Sequence, residues 1–360
     1  MFAHHMKWDD LVGERTSLRR LQLQLTMYAQ HLFTWQSLQF RRIKLGTIKD
    51  YVRAAATFMQ LFSSRKFDPR YDGPLETKVG KLLSEVYKDM QKYEELPRKR
   101  EPFGPEMLEL ARKLALEDNR PDGLLACLAD WYVIGLNAGL RKSEWAQPEN
   151  KQYKPSDYQK DVFGNARAFT INDIRVEDGS RRRFRGFACL KLSPNEVRQM
   201  WITFRTQKNG NNGEQRLFTR VVKDGRRCFV QAMYRILGRF QRLRGTEDVV
   251  TPLALYKHTD GSVRLVTPNK IEHNMRLLAS RVFGLDPIKN KKDLALWASH
   301  SIRVGACVLL HTQGYNGTQL QWLLRWRSDA FMAYLRNLPV LADQQARVLD
   351  TAVGNMPQFL

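Results

Sequence analysis

The stretch SHSIRVGACVLLHTQG, residues 299–314, contains two side chains that could bind a phosphate. His300 and Arg303 are three positions apart, so they share one face of the helix that the following apolar residues predict. Ser299 is a favourable N-cap for that helix, and a helix N-terminus attracts anions. We therefore expect the pair to point away from the packed face, towards a phosphate. A capped helix with a solvated histidine and arginine is the structural alternative.

A second arginine follows a predicted helix end in GLRKSE, residues 139–144. Gly139 is a plausible stop for the preceding helix, which places Arg141 at the start of a new turn. An arginine suits a phosphate because its planar group donates two hydrogen bonds at once and keeps its charge. Taken alone, a surface arginine paired with Glu144 is the commoner arrangement.

A tyrosine, a tryptophan and a lysine extend the set of residues that could do chemistry. Tyr334 lies inside a helix that Ser328 is expected to cap, and Trp326 ends the helix before it. Lys208 occupies the tip of a hairpin predicted in RTQKNGNNGEQ, from which a lysine can reach into a groove. The structural alternatives are a half-buried core tyrosine and a solvated turn lysine.

The charge balance points to a polyanionic partner. The chain of 360 residues has 59 Lys and Arg against 37 Asp and Glu, a formal net charge of +22. Nucleic acid is the leading interpretation, and an anionic membrane is the second, although no basic amphipathic helix dominates the sequence. The longest apolar stretch, residues 124–140, is interrupted by Asp130 and Asn137, so we interpret it as a core helix.

The cysteines argue against a zinc site and against a disulfide framework. The four of them are far apart, with no C-x-x-C pair, which favours a reducing intracellular compartment. The N-terminus lacks the layout of a signal peptide.

Residues 1–95 are predicted to form an all-helical domain, followed by a linker at 96–104. In the helix of GTIKDYVRAAATFMQLF, Thr47 and Asp50 suit a capping box. The apolar face predicted for this helix consists of Ile48, Tyr51, Ala55, Phe58 and Phe62. The linker contains the basic run Arg98, Lys99 and Arg100, interpreted as phosphate contacts or a nuclear-import signal, with a solvated basic linker as the alternative.

Residues 105–360 are predicted to form a second, mixed domain with a helical C-terminal tail. Helical patterns cover about 105–116, 123–138, 226–243 and 269–282, and two hairpin signals lie between them, at Asp178-Gly179 and around NGNNG. The sequence therefore predicts a mostly α fold with a small antiparallel β-sheet, in which a helical domain precedes an α+β domain.

The order of these residues resembles the tyrosine recombinases, a family that includes phage integrases, Xer-type and Cre-type recombinases and integrase-like proteins of mobile elements. GLRKSE matches the family's G-L-R-x-S-E motif, HSIR matches H-x-x-R, and Trp326 stands where the family has His or Trp. Lys208 matches its hairpin lysine, with Lys191 and Lys223 on neighbouring elements, and Tyr334 in YLRN matches its nucleophile. The resemblance covers about 101–340, and residues 14–92 resemble the family's core-binding domain. Tyr334 follows Trp326 by eight residues, a spacing shorter than is common.

The resemblance implies an enzyme that cleaves and rejoins DNA strands at specific sites through a 3′-phosphotyrosyl intermediate. Tyr334 would attack the scissile phosphate, and Lys208 would protonate the leaving 5′ oxygen. The non-bridging oxygens would be held by Arg141, with Glu144 in support, and by Arg303. His300 and Trp326 would add hydrogen bonds, with His300 as an acceptor for the tyrosine proton.

The implied partners are double-stranded DNA and further copies of the chain, as a homo-tetramer on two sites. Lys142, beside Arg141, is a further expected DNA contact. Because arginines and a lysine supply the positive charge, we expect no metal and no cofactor, activity in EDTA, and no membrane association. The expected location is the nucleus in a eukaryotic host, otherwise the cytoplasm or nucleoid, and not outside the cell.

Three alternatives remain open on the sequence. One is a recombinase-derived DNA-binding protein without cleavage activity, and another is a type IB topoisomerase-like enzyme that nicks and reseals. The last is a basic structural or RNA-binding protein that matches by chance, for which replacing Tyr334 by phenylalanine would change nothing.

Overall fold

The chain divides into two compact units, residues 1–97 and 98–360. The computed structural model describes residues 17–34, 43–62, 67–94, 99–147, 160–161, 164–207, 212–222, 225–326 and 328–335.

Three helices make up the described part of the first unit: α1 (Leu18–Thr34), α2 (Leu45–Phe62) and α3 (Lys81–Lys92). Their apolar stripes meet in one core, to which Leu21 and Leu25 of α1 and Leu83 of α3 contribute. Each stripe has the spacing of an amphipathic helix that buries one face.

The buried face of α2 differs from the predicted one. The helix begins at Leu45, so Thr47 and Asp50 lie inside it and do not form its cap. Its buried residues are Leu45, Ile48, Val52, Ala56 and Met59, while Tyr51 is 48% exposed. Two apolar stripes run along α2, and packing against α1 and α3 selects the one with smaller side chains, which allows a closer approach.

The second unit is built around a buried helix. Its elements are α4 (Pro105–Glu117), α5 (Leu124–Ala138), α6 (Lys142–Trp145), β1 (Ile174–Asp178), β2 (Arg183–Arg185), β3 (Val197–Phe204), β4 (Glu214–Thr219), α7 (Phe229–Arg244), β5 (Leu255–Lys257), β6 (Val263–Leu265), α8 (Pro268–Phe283), α9 (Lys291–Leu294), α10 (Ser301–Thr312), α11 (Gly317–Leu324) and α12 (Met332–Leu335). Helix α5 is buried on nearly every side, as its continuous apolar sequence requires. It packs against α4, α7 and α10.

The sheet is small and entirely antiparallel, with strand order β2-β1-β3-β4. In the register of β3 and β4, Phe204 at the end of β3 is opposite Glu214 at the start of β4. Strands β5 and β6 form a separate hairpin. The predicted fold class, mostly α with a small antiparallel sheet, is confirmed. Across the ranges described above, no helix combines the length and the apolar character that crossing a bilayer would need.

Residues 99–104, which the sequence assigns to a linker, pack in the second unit. Phe103 is buried, and its N–H donates to the carbonyl of Ser301 at 3.0 Å. A Cβ atom at Gly305 of α10 would lie 2.2 Å from the Phe103 carbonyl oxygen. The backbones of this segment and of α10 are therefore in direct contact, which only a glycine permits.

A small apolar cluster holds the last described elements. Ala306 and Cys307 of α10 pack with Leu320 and Leu324 of α11 and with Leu335 of α12. The cluster fixes α12, a helix of four residues that would not be stable alone.

Candidate active site

Helix α10 begins later than the sequence predicts. Its N-cap is His300, and Ser299 is instead buried, where its hydroxyl donates to Glu272 Oε1 at 3.4 Å. The cause is a turn just before the helix, in which the Ser301 N–H donates to the Ala298 carbonyl at 2.7 Å and the Ser301 hydroxyl accepts from the Ala298 N–H.

Arg303 is buried, contrary to the expected outward orientation. Only 1% of it is exposed. Its Nη1 donates to the carbonyl of Gly139, and its Nη2 donates to the carbonyls of Leu324 and Arg325. Its guanidinium carbon lies 4.3 Å from the centre of the Trp326 ring. Burial, together with the charges of Arg141 and Arg325, lowers the pKa of Arg303 to about 9, which leaves it charged at neutral pH.

Gly139 makes this arrangement possible. It ends α5 in the left-handed conformation, with φ of 56°, and a Cβ there would lie 2.6 Å from Leu324 Cδ2. The predicted helix stop therefore also presents its carbonyl to Arg303.

Tyr334 and His300 are in direct contact. The Tyr334 Oη lies 2.9 Å from His300 Nε2, across 34 residues of sequence. In the neutral tautomer with its proton on Nδ1, the imidazole accepts the phenol O–H. Tyr334 is half-buried, and its ring centre lies 5.6 Å from that of Trp326.

The surroundings hold both groups neutral. Burial, with the charges of Arg303, Arg100 and Arg141, lowers the pKa of His300 to about 4. Burial also raises the pKa of Tyr334 above its usual value, and the charge of Arg303 opposes that rise. At pH 7 the pair is therefore a neutral acid beside a neutral base.

Arg141 and Glu144 form a cap at the start of α6. The Arg141 N–H donates to Glu144 Oε2 at 2.8 Å, and the Arg141 Nη1 donates to Oε1 at 3.3 Å. Glu144 is buried, whereas the Arg141 side chain is 22% exposed. The surface ion pair considered from the sequence is therefore half-buried, and Arg141 keeps donors that face solvent.

Trp326 carries an unused donor. Its Nε1 is buried and finds no acceptor among the described residues. A buried N–H without a partner costs free energy, so an oxygen that entered the pocket would be favoured there.

The remaining predicted residues are those assigned to DNA contact and to the general acid. Lys208 and Arg98 lie outside the described residues. Lys99 and Lys142 are exposed. Arg100 is exposed too, and its Nη1 donates to the carbonyl of Ala295 at 2.6 Å.

The sequence did not indicate how two arginines of this region act on their neighbours. Arg100 was predicted to contact DNA, which stays a prediction, and its charge also acts on His300. Arg325 was not singled out, yet it is 3% exposed and donates to both carboxylate oxygens of Glu144. The one available signal for Arg325 was an arginine where a helix end usually has glycine.

The chain is similar in structure to solved transposon integrases. One is the Tn1549 transposon integrase in complex with transposon right-end DNA, at a TM-score of 0.41 and 14% identity over 94% of this chain and 87% of that one. Another is the same integrase in complex with circular intermediate DNA, at a TM-score of 0.40 and 14% identity, covering 87% and 80%. No protein-family profile and no curated protein sequence matches the chain.

We call Arg141, Glu144, His300, Arg303, Trp326 and Tyr334 the reaction pocket. With the adjoining Arg325 it contains three guanidinium groups and one carboxylate, a formal charge of +2. Such an excess in a half-buried site favours an anion with several acceptor oxygens. The described residues contain no cluster of three His, Cys, Asp or Glu side chains suited to a metal ion.

Proposed function

We propose that this chain is a tyrosine recombinase, an integrase-like enzyme that cleaves and rejoins DNA strands through a phosphotyrosyl intermediate. The observation that carries the proposal is the 2.9 Å contact between Tyr334 Oη and His300 Nε2 beside the buried Arg303. A nucleophile, a base within hydrogen-bond reach and a fixed cation are the parts that attack on a phosphodiester needs.

The first step follows from these positions. Tyr334 Oη attacks the phosphorus, and its proton passes to His300 Nε2, which is neutral at pH 7. The new O–P bond forms as the bond from phosphorus to the 5′ oxygen breaks. The leaving oxygen takes a proton from a general acid, a role that we assign to Lys208. The product is a 3′-phosphotyrosyl link and a free 5′ hydroxyl.

Two arginines would stabilise the negative charge that builds up on the non-bridging oxygens. The guanidinium of Arg303 has five N–H bonds, and three of them donate to backbone carbonyls among the described residues. Two N–H bonds therefore remain for a phosphate. Arg141 offers its exposed donors, and Trp326 Nε1 offers one more. Because these cations can stabilise the negative charge that a metal ion stabilises in metal-dependent nucleases, we propose a metal-independent reaction.

The covalent link conserves the energy of the phosphodiester bond. A second 5′ hydroxyl can therefore attack it, which returns the proton to Tyr334 and joins a new strand without a nucleotide cofactor. Exchange between two duplexes needs two cleaved sites on each, so we propose four copies of the chain on two DNA sites. In this scheme the helices of the first unit are a DNA-binding domain.

A covalent trapping experiment tests the proposal. The protein is incubated in EDTA with a duplex library that carries randomised cores and nicked suicide sites, and adducts that survive SDS are collected and sequenced. We expect adducts from wild type and none from Tyr334→Phe, which lacks the attacking oxygen. Tyr315→Phe is the matched control, because Tyr315 is 39% exposed and lies outside the reaction pocket.

The alternatives give different outcomes. Adducts that persist in Tyr334→Phe would refute the assigned nucleophile. No adducts from wild type, with salt-sensitive DNA binding retained, would replace the proposal by a DNA-binding protein that does not cut. Adducts accompanied by relaxation of supercoils and by no strand exchange would indicate a topoisomerase.

A further inference from the structure

Arg325 stands at a backbone position that normally belongs to glycine. It follows α11 in the left-handed conformation, with φ of 57° and ψ of 47°. The Trp326 N–H closes the helix end by donating to the Gln321 carbonyl at 2.9 Å. A side chain disfavours this conformation, so its presence calls for a compensating interaction.

That interaction is a buried bidentate ion pair with Glu144. The Arg325 side chain is 0% exposed. Its Nη1 and Nη2 donate to Glu144 Oε1 and Oε2 at 2.9 and 3.0 Å, and its guanidinium carbon lies 3.5 Å from the centre of the Phe204 ring. The parallel pair of hydrogen bonds fixes the carboxylate plane, which a single contact would not do.

This pairing determines how strongly Glu144 holds Arg141. Both carboxylate oxygens face Arg325, and the guanidinium of Arg141 makes one longer contact, at 3.3 Å. Without Arg325, Arg141 would be the ion-pair partner left to the buried carboxylate among the described residues, and the two would form a bidentate pair. The Arg141 donors that we assign to the phosphate would then be occupied.

Arg325 also contacts the segment that follows β3. Its Nη1 donates to Gln207 Oε1 at 3.0 Å. Gln207 follows β3, and its Nε2 donates to Glu214 Oε2 of β4 at 3.0 Å. The backbone N–H of Gln207 donates to Asn212 Oδ1 at 2.7 Å. Arg325 therefore links Glu144 to Gln207, the residue that precedes Lys208 in the sequence.

We infer that Arg325 is a positioning residue, which keeps Arg141 available to the scissile phosphate and holds Gln207, the residue before the proposed general acid. The inference rests on the proposed function and adds to it a residue that touches neither the phosphate nor the leaving group. It also explains why an arginine occupies a glycine position at this helix end.

The experiment measures the rate of adduct formation on a DNA site obtained by trapping. The first variant is Arg325→Gly, which keeps the left-handed turn, and the second combines it with Glu144→Gln. The third is Arg325→Lys, which keeps the charge and loses the bidentate ion pair. Arg181→Gly is the matched control, because Arg181 is exposed and also has positive φ, 63°. Each is tested on a normal substrate and on one with sulfur at the bridging 5′ position, whose thiolate leaves without an acid.

We expect Arg325→Gly to slow adduct formation on the normal substrate by about 100-fold, the effect of misplacing groups in a site by an ångström. Adding Glu144→Gln should raise the rate of this variant by about 10-fold, because a neutral amide does not form an ion pair with Arg141. With the sulfur substrate the defect should shrink to about 10-fold, because the acid is no longer needed. Arg325→Lys should be intermediate, and Arg181→Gly should equal wild type.

Three outcomes overturn the inference. An Arg325→Gly variant that forms adducts at the wild-type rate would show that Arg325 has no role in the site. A slow variant that neither Glu144→Gln nor the sulfur substrate rescues would show a role in folding alone, which the melting temperature would register. The absence of adducts from wild type on both substrates would refute the proposed function, and this inference with it.

Discussion

Two groups of arginines pack against α5, one beside the helix and one just beyond its C-terminal end. The groups that accept their hydrogen bonds differ between the two. Within the helix, Asp130 accepts from Arg235 Nε and from Arg239 Nη2, both at 2.6 Å. We call these three residues the distal cluster. Beyond Gly139, Glu144 serves Arg141 and Arg325, while Arg303 is satisfied by backbone carbonyls.

The difference lies in how much charge is left over. In the distal cluster Arg239 is buried against a carboxylate, and the second cation, Arg235, is 44% exposed to water. Arg303 of the reaction pocket and the adjoining Arg325 are both buried, and Glu144 is the carboxylate that pairs with Arg325 and Arg141. Carbonyl dipoles satisfy hydrogen bonds without cancelling charge, so the pocket keeps a positive field that a phosphate can complete. Burial and residue type alone therefore do not distinguish a structural arginine from one that we propose binds the phosphate.

The largest effect should come from replacing the arginine that carbonyls hold. Arg303→Lys should slow adduct formation by about 10²–10³-fold, the usual loss for one charge-stabilising donor, because an ammonium cannot bind the carbonyls and the phosphate together. Arg239→Lys, in the distal cluster, should leave the rate unchanged. Single-turnover assays at a temperature where circular dichroism shows both variants folded make the measurement, and equal losses in the two would contradict the distinction.

Removing the carboxylates should separate the two clusters in stability. Asp130→Asn and Glu144→Gln each leave a buried arginine without its counter-ion and should lower the free energy of unfolding by about 3 kcal/mol. Cognate DNA should raise the melting temperature of Glu144→Gln by more than it raises that of wild type, because a phosphate replaces the lost charge. For Asp130→Asn the increase should match wild type. Equal increases in both variants, measured by calorimetry, would remove the contrast.

The smallest effect concerns the pH dependence. Because the pKa of His300 is lowered to about 4, the imidazole is neutral at higher pH, and the second-order rate of adduct formation should stay level from about pH 5 to 8 and fall only below that. Arg100→Gln removes one of the charges that act on His300 and should raise its pKa, whereas Arg235→Gln in the distal cluster should not. NMR titration of the His300 ring gives the values, and a pKa near 6.5 in wild type would refute this electrostatic account.

The same shift affects stability. The pKa of His300 in the folded chain lies below the usual value of 6.5. Between these two pKa values the unfolded chain therefore binds a proton that the folded chain does not bind. The contribution of His300 to stability is therefore complete above about pH 6.5 and is lost as the pH falls towards 4.

The sequence indicated some of the contacts in this region, and it indicated less well how the side chains are held. The structure places Tyr334 in contact with His300, on which the charge of Arg141 acts, whereas the position of Lys208 stays a prediction. Helix periodicity and two hairpin signals were sufficient for the fold class, because long apolar patterns such as that of α5 leave few alternatives.

What was missed depends on contacts between distant parts of the chain. The burial of Arg303 is set by the carbonyl of Gly139, 164 residues away in sequence. The start of α10 is set by a turn at Ala298, although Ser299 is the better cap by type. The role of Arg325 needs Glu144 and Gln207 together, and no local pattern joins them.

The contact between Gly305 and Phe103 has a consequence for the reading of mutational scans. Gly305 is two residues from Arg303 and faces the backbone of the 99–104 segment, so any side chain there would push α10 and move Arg303 and His300 with it. A saturation library that is scored on recombination alone would rank Gly305 beside Tyr334. Scored in parallel for soluble protein, the same library would separate Tyr334, the proposed nucleophile, from Gly305, which the close backbone packing of α10 requires.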